Sequence, residues 1–295
     1  FDILPAFLHN GRVECQSGPT MPISPPPTLP ALPAQRARPH RRRFASGRVI
    51  LALMLREMST RYGRTPGGYV WALLEPLGGV MILAIGFSLL VRSPPLGTSF
   101  MLFYATGLMP FDLFQKVSQS TAKSLRFSRP LLAYPAVSWI DTVLARFFLN
   151  TLTNLTVSYV LLTAILMLSD SRSVVDIWPV LAAMGLAALL GLGVGCVNAV
   201  LMGFYPTWES IWSIITRPLF IVSGILLLYE TLPNTIQDIL WWNPLLHIVG
   251  EMRTGFYPMY DANYVSLIYV LLIAVALLAF GLMLLRRFHR EILDD

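Results

Sequence analysis

The sequence predicts an all-α membrane protein with an N-terminal amphipathic interfacial helix, six transmembrane helices and short re-entrant helices before the last of them. Three observations support this fold class. Hydrophobic residues make up 55% of the 295 residues and charged residues only 13%, about half the charged share of an ordinary soluble domain. The hydrophobic residues form blocks near the ~20 residues that cross a ~30 Å hydrocarbon layer. Basic residues collect on one side of these blocks. An ordinary soluble enzyme is therefore excluded.

The N-terminal segment has a different composition from the rest of the chain. Its first 45 residues contain nine prolines and several arginines. Such a segment buries little apolar surface, so we predict a disordered tail at 1–45. It does not resemble a secretory signal, and Met21 is the expected natural start. We interpret its arginine cluster as a cytoplasmic membrane anchor, because nucleic-acid binding is disfavoured for so apolar a chain.

Residues 48–62 follow the tail and carry apolar side chains at helical spacing, while charged side chains fall largely elsewhere. The apolar positions are Leu51, Met54, Leu55, Met58 and Tyr62. This pattern predicts a helix that lies in the plane of the membrane interface. An amphipathic helix of a soluble domain is disfavoured, because no soluble domain follows on which it could pack.

Six segments are long and apolar enough to be transmembrane helices. They cover residues 71–91, 99–122, 147–169, 177–208, 211–229 and 262–285. The charged residues within them are Glu75, Asp112, Lys116 and Arg217. Asp112 and Lys116 are four positions apart, so they can form an ion pair on one helix face. Arg217 has no charged residue three or four positions away, which makes it a functional candidate. Pairing with an acid on another helix and snorkelling remain open for it.

Basic residues are distributed unevenly between the two sides of the predicted spans. With a cytoplasmic N-terminus, 18 Lys and Arg residues lie inside, whereas Arg92, Arg172 and Arg253 lie outside. Cytoplasmic loops of membrane proteins carry the excess of basic residues. We therefore predict that both termini are cytoplasmic.

Two connections are expected to contain short helices. In the inner loop, 124–139, Ser128 is a candidate N-cap, Pro130 is expected in the first turn and Pro135 at the end. The outer loop, 230–261, is too apolar for solvent and is interrupted at Asn243 and Pro244. Two short helices that re-enter the outer leaflet fit this pattern, because irregular backbone at that depth must be buried in protein or line water.

Two sets of residues form motifs that are known from one family of membrane proteins. The first set opens the apolar region: Arg56, Glu57, Arg61, Tyr62, Gly63, Gly68, Trp71 and Pro76. The second precedes the last predicted span: Asn243, Pro244, Leu245, His247, Glu251 and Arg253. Together they resemble the ABC-2 type permeases that export polysaccharides, most closely the capsule-exporting (KpsM-type) branch. The resemblance extends over residues 48–290, so we interpret 46–290 as one ABC-2 permease domain.

This resemblance implies the transmembrane subunit of an ABC transporter that exports lipid-linked capsular polysaccharide across the bacterial inner membrane. It also implies a homodimer, two ABC ATPase subunits, and periplasmic or outer-membrane export partners. The sequence contains no GxxxxGK[ST] phosphate loop, so ATP and Mg are expected on the ATPase and no cofactor is expected in this chain. Export of O-antigen or teichoic acid is the alternative within the same class.

The predicted site residues fall into three sets. The resemblance implies that the amphipathic helix and the first inner loop contact the ATPase through Arg56, Arg61, Arg126, Arg129, Pro130, Leu131 and Tyr134. A substrate path is expected at Arg217, Tyr205, Trp208, Trp212 and Asn154. For the aromatic residues an interfacial belt is the alternative, and for Asn154 a helix-to-helix hydrogen bond. The re-entrant segment is expected to contain Trp241, Trp242, Asn243, Pro244, Glu251 and Arg253.

Other functions and sites are disfavoured. A membrane-embedded glycosyl or acyl transferase needs a converging nucleophile and base, and the predicted spans show none. A passive channel would need no ATPase. Metal binding by His247 and Glu251 lacks a third ligand at a suitable spacing. Gly191, Gly193 and Gly195 form a G-x-G-x-G run, which predicts close helix packing within or between subunits rather than a dinucleotide-binding turn.

Overall fold

The computed structural model describes residues 45–62, 67–132, 137–169 and 175–294. Every regular element in these ranges is helical. The helices are α1 Ala45–Tyr62, α2 Gly68–Leu90, α3 Phe100–Ala122, α4 Ser124–Leu132, α5 Trp139–Leu168, α6 Ile177–Phe204, α7 Trp208–Val222, α8 Asn234–Leu240, α9 Pro244–Phe256 and α10 Leu267–Asp294, with a 3₁₀ turn at Tyr229–Thr231. The tail predicted at 1–45 lies, apart from its last residue, outside the described residues.

Helices α3 and α6 form the centre of the bundle. They pack on each other; α2, α5 and α9 also contact α3, and α9 and α10 contact α6. Most of α3 is buried, and its Leu102, Leu113 and Val117 side chains are at most 1% exposed. Because α3 is surrounded by protein rather than lipid, it can carry polar side chains that a lipid-facing helix cannot.

Three glycines of α6 let neighbouring helices approach closely, as the G-x-G-x-G run predicts. A Cβ atom on Gly191 would lie 2.9 Å from the Phe114 carbonyl oxygen of α3, and one on Gly195 would lie 2.6 Å from Thr121 Cβ. On the opposite side, a Cβ on Gly193 would lie 2.9 Å from the Leu278 nitrogen of α10. These glycines therefore pack helices of the same subunit.

Within the part of the chain that the structure describes, four helices are long and apolar enough to cross a membrane, namely α2, α5, α6 and α10. Helix α3 has 23 residues, about 35 Å at 1.5 Å per residue, but its C-terminal half is polar. The structure thus supports a multi-pass membrane protein. The count of six spans, in which α3 and α7 are the other two, stays a prediction.

The prediction that the fifth span, 211–229, is one continuous helix is wrong. Helix α7 has 15 residues, about 22 Å in length, which is short of a ~30 Å hydrocarbon layer. The helix ends where the Ser223 hydroxyl donates to the Leu219 carbonyl and Gly224 adopts a φ of 75°. Glycine accepts this left-handed conformation at low cost, because it has no Cβ atom.

The short helix predicted in the inner loop is confirmed as α4, but its predicted start is wrong. Ser128 lies inside the helix, and Pro130 lies in its second half rather than its first turn. The helix begins early because the Phe127 N–H bonds to the carbonyl of Lys123, directly after α3, at 3.1 Å. Pro135 lies outside the described residues.

Helix α1 confirms the helix predicted at 48–62, and its half-buried side packs on α5. Met54 and Met58 lie on that side, whereas Leu51 and Leu55 are 55% and 57% exposed. Apolar side chains therefore point both toward the protein and away from it. The amphipathic character of α1 and its position in the membrane interface stay predictions.

Helices α8 and α9 are the two short helices predicted before the last span. The predicted break between them is confirmed, because Asn243 is the N-cap of α9 and its Oδ1 accepts from the Leu245 N–H at 3.1 Å. Pro244 occupies the first turn, where its missing N–H costs nothing. The depth of these helices in the membrane stays a prediction.

Candidate functional site

Ion pairs join the C-terminal half of α3 to two neighbouring helices. Lys116 Nζ lies 2.8 Å from Asp112 Oδ2, which confirms the predicted pair, and 3.6 Å from Glu75 Oε2 on α2. Lys123, one residue beyond α3, places Nζ 2.6 Å from Glu209 Oε1 on α7. Both lysines of the chain therefore have acidic partners.

Arg146 of α5 connects three other helices at the same end of the bundle. Its Nε lies 3.2 Å from Glu57 Oε2 of α1, and its Nη1 donates to the Ser120 carbonyl of α3 at 3.2 Å. Its guanidinium carbon lies 4.3 Å from the ring centroid of Phe127 in α4. The Arg146 and Glu57 side chains are only 8% and 13% exposed. Removing one member of a shielded ion pair is strongly destabilising. The pair with Glu57 therefore fixes α1 against the bundle, and the contact with the Phe127 ring fixes α4.

Two polar cavities lie along α3 and share Gln119. One has a volume of about 610 Å³ and is lined by Glu57, Thr60, Lys116, Gln119, Ser120, Lys123, Phe127 and Arg146. The other, between α3 and α7, has a volume of about 440 Å³ and is lined by Phe111, Gln115, Gln119, Ser213, Thr216, Arg217 and Phe220. Both are large enough to hold water or a polar solute beside the apolar core.

The structure brings one of the five predicted path residues, Arg217, to the smaller cavity. Trp212 and Tyr205 are not among the described residues that line it, and its aromatic walls are instead Phe111 and Phe220. Trp208 Nε1 donates to Asn198 Oδ1 at 3.0 Å. Asn154 is buried, and its Nδ2 donates to the Asn150 carbonyl of its own helix at 2.8 Å.

The residues predicted to contact an ATPase lie on an exposed basic surface where they are described. Arg126, Arg129 and Pro130 are exposed on α4, and Arg56 is exposed on α1. On the opposite side of α4, Leu125 and Ser128 are buried, which turns the arginines outward. Tyr134 and the side chains of Arg61 and Leu131 lie outside the described part of the structure.

Two residues of the predicted re-entrant segment hold the end of α7. Asn243 Nδ2 donates to the Val222 carbonyl at 3.2 Å, and Arg253 Nη2 donates to the Ile225 carbonyl at 3.1 Å. Arg253 is 1% exposed, and its guanidinium carbon lies 4.2 Å from the ring centroid of Phe103. Carbonyl groups beyond a helix C-terminus carry negative partial charge, so they and the aromatic ring stabilise this buried cation.

The other residues of this segment form a packed aromatic cluster. Trp241 Nε1 donates to the Tyr264 carbonyl at 3.2 Å, while Trp242 is 68% exposed. His247 Nδ1 accepts from the Ser266 N–H at 3.2 Å, so its Nε2 carries the proton that is donated to the Trp241 carbonyl at 2.8 Å. Burial lowers the pKa of His247. The ring is therefore neutral and structural.

Glu251 completes the predicted set on α9, on a half-buried side of the helix. Burial raises the pKa of its carboxyl group, and the negative charge of Asp176 raises it further. Asp176 is the N-cap of α6, and its N–H donates to the Gly255 carbonyl at 2.8 Å. Glu251 therefore lies where α9 meets the start of α6.

Sequence reasoning missed several residues that line these cavities, among them Gln115, Gln119 and Glu57. Gln115 and Gln119 are four positions apart on α3 and share one face, a signal that the sequence contained. Glu57 pairs with Arg146 across a long sequence separation, and local spacing offers no sign of that contact. The cavity walls therefore contain residues that share one helix face, which sequence spacing can indicate, and residues from other helices, which only the fold brings together.

Polar cavities along the central helix of an apolar helical bundle fit a membrane transport permease. Residues 48–257 match the ABC-2 type transporter family. This match covers more than half of the chain, and the chain belongs to that family.

Similar proteins extend the match over most of the chain. It is 31% identical to the "Polysialic acid transport protein KpsM" of Escherichia coli, over 81% of this chain and 92% of that protein. It is 27% identical to the "Capsule polysaccharide export inner-membrane protein BexB" of Haemophilus influenzae, over 83% and 93%. It is 26% identical to the "Capsule polysaccharide export inner-membrane protein CtrC" of Neisseria meningitidis serogroup A, over 83% and 92%.

Proposed function

We propose that this chain is the membrane subunit of an ATP-driven exporter that moves lipid-linked capsular polysaccharide across the bacterial inner membrane. The observation that carries the proposal is the pair of polar cavities beside α3, in a family of transporters. The names of the relatives favour capsular polysaccharide over O-antigen or teichoic acid. Aromatic and amide side chains in one cavity suit a sugar chain. Aromatic rings pack on the C–H faces of sugars, and amide groups can donate to or accept from sugar hydroxyls in several orientations.

The proposed topology has six spans and two cytoplasmic termini. Helix α7 and the non-helical residues 223–228 together make the fifth span, with Arg253 and Asn243 supplying hydrogen bonds to its carbonyl groups. Irregular backbone is tolerated within a membrane when protein satisfies its polar groups. The excess of basic residues on one side supports the orientation, which puts α4 and the Arg146 contacts at the cytoplasmic end.

The proposed assembly contains a second copy of this chain and two ABC ATPase subunits, with ATP and Mg bound by the ATPase. Export partners in the periplasm or outer membrane are part of the same proposal. Coupling runs through α1 and α4, because exposed arginines on these helices can meet acidic residues of the ATPase. Arg146 supports this role, since it contacts Glu57 of α1 and Phe127 of α4 and can transmit a displacement of either helix to α3 and α5.

Complementation tests the function directly. The gene is expressed with its ATPase in strains that lack a capsule permease or an O-antigen permease, and surface glycan is measured. Capsule should return in the first strain and O-antigen should stay absent in the second. Recovery of O-antigen alone would refute the proposed cargo. Recovery of neither, with ATPase bound and active, would refute export.

The coupling surface is tested by charge reversal. The double variant Arg126→Glu and Arg129→Glu should lose ATPase co-purification by more than about tenfold, because like charges placed at an interface cost several kcal/mol. The control, Arg286→Glu and Arg287→Glu, makes the same charge change at exposed positions of α10. An equal loss in both variants would mean that net charge, not α4, decides the association.

A further inference from the structure

The cavity between α3 and α7 has an unusual combination of side chains for a lipid-embedded site. Arg217 brings a positive charge, Gln115 and Gln119 bring carboxamides, and Ser213 brings a hydroxyl, while Phe111 closes one wall. Every one of these polar groups can donate a hydrogen bond. The cavity therefore offers several donors and a cation in a volume of about 440 Å³.

Arg217 differs from the lysines at the same end of the bundle. Lys116 is held by Asp112 and Glu75, and Lys123 by Glu209. Within the described ranges, no ion pair or hydrogen bond joins Arg217 to another side chain. Asp112, an acid on the facing helix α3, is already paired with Lys116 at 2.8 Å. Arg217 therefore lines the cavity without an acidic partner among the described residues.

We propose that this cavity binds an anionic oxygen group of the cargo, either a phosphate of its lipid anchor or a carboxylate of its sugars. The proposal rests on the proposed function. The planar guanidinium of Arg217 suits two parallel hydrogen bonds to such a group. Gln115 and Gln119 lie one helical turn apart, about 6 Å along α3, and their carboxamides can donate from the opposite wall.

The flanking residues define the rest of the ligand. Phe111 and Phe220 supply flat apolar walls, on which the C–H faces of a sugar ring can pack. Gln119 also lines the 610 Å³ cavity, so a bound anion can be passed along α3 without leaving polar surroundings. The site therefore takes an anionic glycoconjugate and offers no compensating charge to a cationic one.

The electrostatic part of the proposal is tested with charged thiol reagents. The full-length chain, with Cys15→Ser and Cys196→Ala, carries Ser213→Cys as a reporter in the cavity wall. Modification rates are measured for two thiosulfonate reagents of similar size, one carrying a negatively charged sulfonate group and the other a positively charged trimethylammonium group. Arg217→Gln should lower the ratio of anionic to cationic rates about tenfold, since a charged cleft raises the local concentration of the opposite charge. Arg286→Gln, on exposed α10 surface, should leave it unchanged.

An unchanged ratio in Arg217→Gln would overturn the proposal. A second reporter, Gln119→Cys, repeats the measurement from the α3 wall, so that a folding defect of one reporter does not decide the result. Equal falls in Arg217→Gln and Arg286→Gln would also overturn it, because the effect would then be one of overall charge.

Binding is tested by protection of the reporter thiol. Inorganic phosphate and polysialic acid are added separately, and each is compared in the parent and in Arg217→Gln. Protection by phosphate alone assigns the site to the lipid phosphate, and protection by polysialic acid alone assigns it to sugar carboxylates. Protection that survives Arg217→Gln, or no protection by either anion, overturns the proposal. These measurements need no ATPase and no export, so their failure is distinguishable from failure of the complementation test.

Discussion

Close packing of α3 on α6 makes Gly195 a sharp test of the fold. In Gly195→Ala the new Cβ would lie 2.6 Å from Thr121 Cβ and 2.8 Å from the Ser118 carbonyl oxygen. A carbonyl in the middle of a helix cannot rotate away without losing its own hydrogen bond. The two helices must therefore separate, and the contacts along their shared face are weakened.

The expected cost follows from these distances. Overpacking a well-packed interior by one methyl group costs about 1–3 kcal/mol. Alanine offsets part of this cost, because it is a better helix former than glycine by about 1 kcal/mol. Gly185→Ala is the matched control on the same helix, since a Cβ there meets nothing within 4 Å. The gain in helix preference is the same in the two variants. The difference between their free energies of unfolding therefore equals the steric cost, about 1–3 kcal/mol.

Thermal unfolding in one detergent, followed by tryptophan fluorescence, measures this difference. Gly195→Ala should unfold at a lower temperature than Gly185→Ala, by roughly 2–4 °C for each kcal/mol in a domain of comparable size. Equal unfolding temperatures would refute the reasoning, because α3 and α6 would then be too far apart for a methyl group to matter. A lower temperature for Gly185→Ala would instead place that glycine in an interface.

Two further predictions concern α9. Arg253→Met should lower the free energy of unfolding by about 1–3 kcal/mol, because the Ile225 carbonyl loses its donor. Arg253→Lys should lower it more, because a buried charge remains without the fit to Phe103. Urea unfolding measures both, and a lysine variant as stable as the parent would contradict this prediction. Burial lowers the pKa of His247. The stability that the neutral ring contributes is therefore complete above the ordinary pKa of histidine, about 6.5. This stability is lost as the pH falls from that value toward the lowered pKa of the folded state. The unfolding temperature should therefore drop from pH 7.5 to pH 5.5 less steeply in His247→Gln than in the parent, and equal slopes would show that another group titrates.

Local patterns predicted most of the helices and the points where they break. Asn243 and Pro244 combine a capping side chain with a residue that has no N–H, so the start of α9 could be read from two positions. Asp112 and Lys116 are neighbours on any helix, and their pair formed as predicted. The end of α7 was missed because the run of apolar residues continues through Leu226, Leu227 and Leu228, while the helix itself stops at Val222.

By itself, the sequence determined the fold class, the family likeness and the positions of most helices, because hydrophobic length, helical spacing and capping act between residues close in the chain. Only the tertiary structure decided which residues surround Arg217 and which helices Arg146 fixes. It also decided that Gly191 and Gly195 pack within one subunit. The physical reason is that the members of these contacts lie on different helices. Their proximity depends on how whole helix faces pack, and no local spacing encodes it.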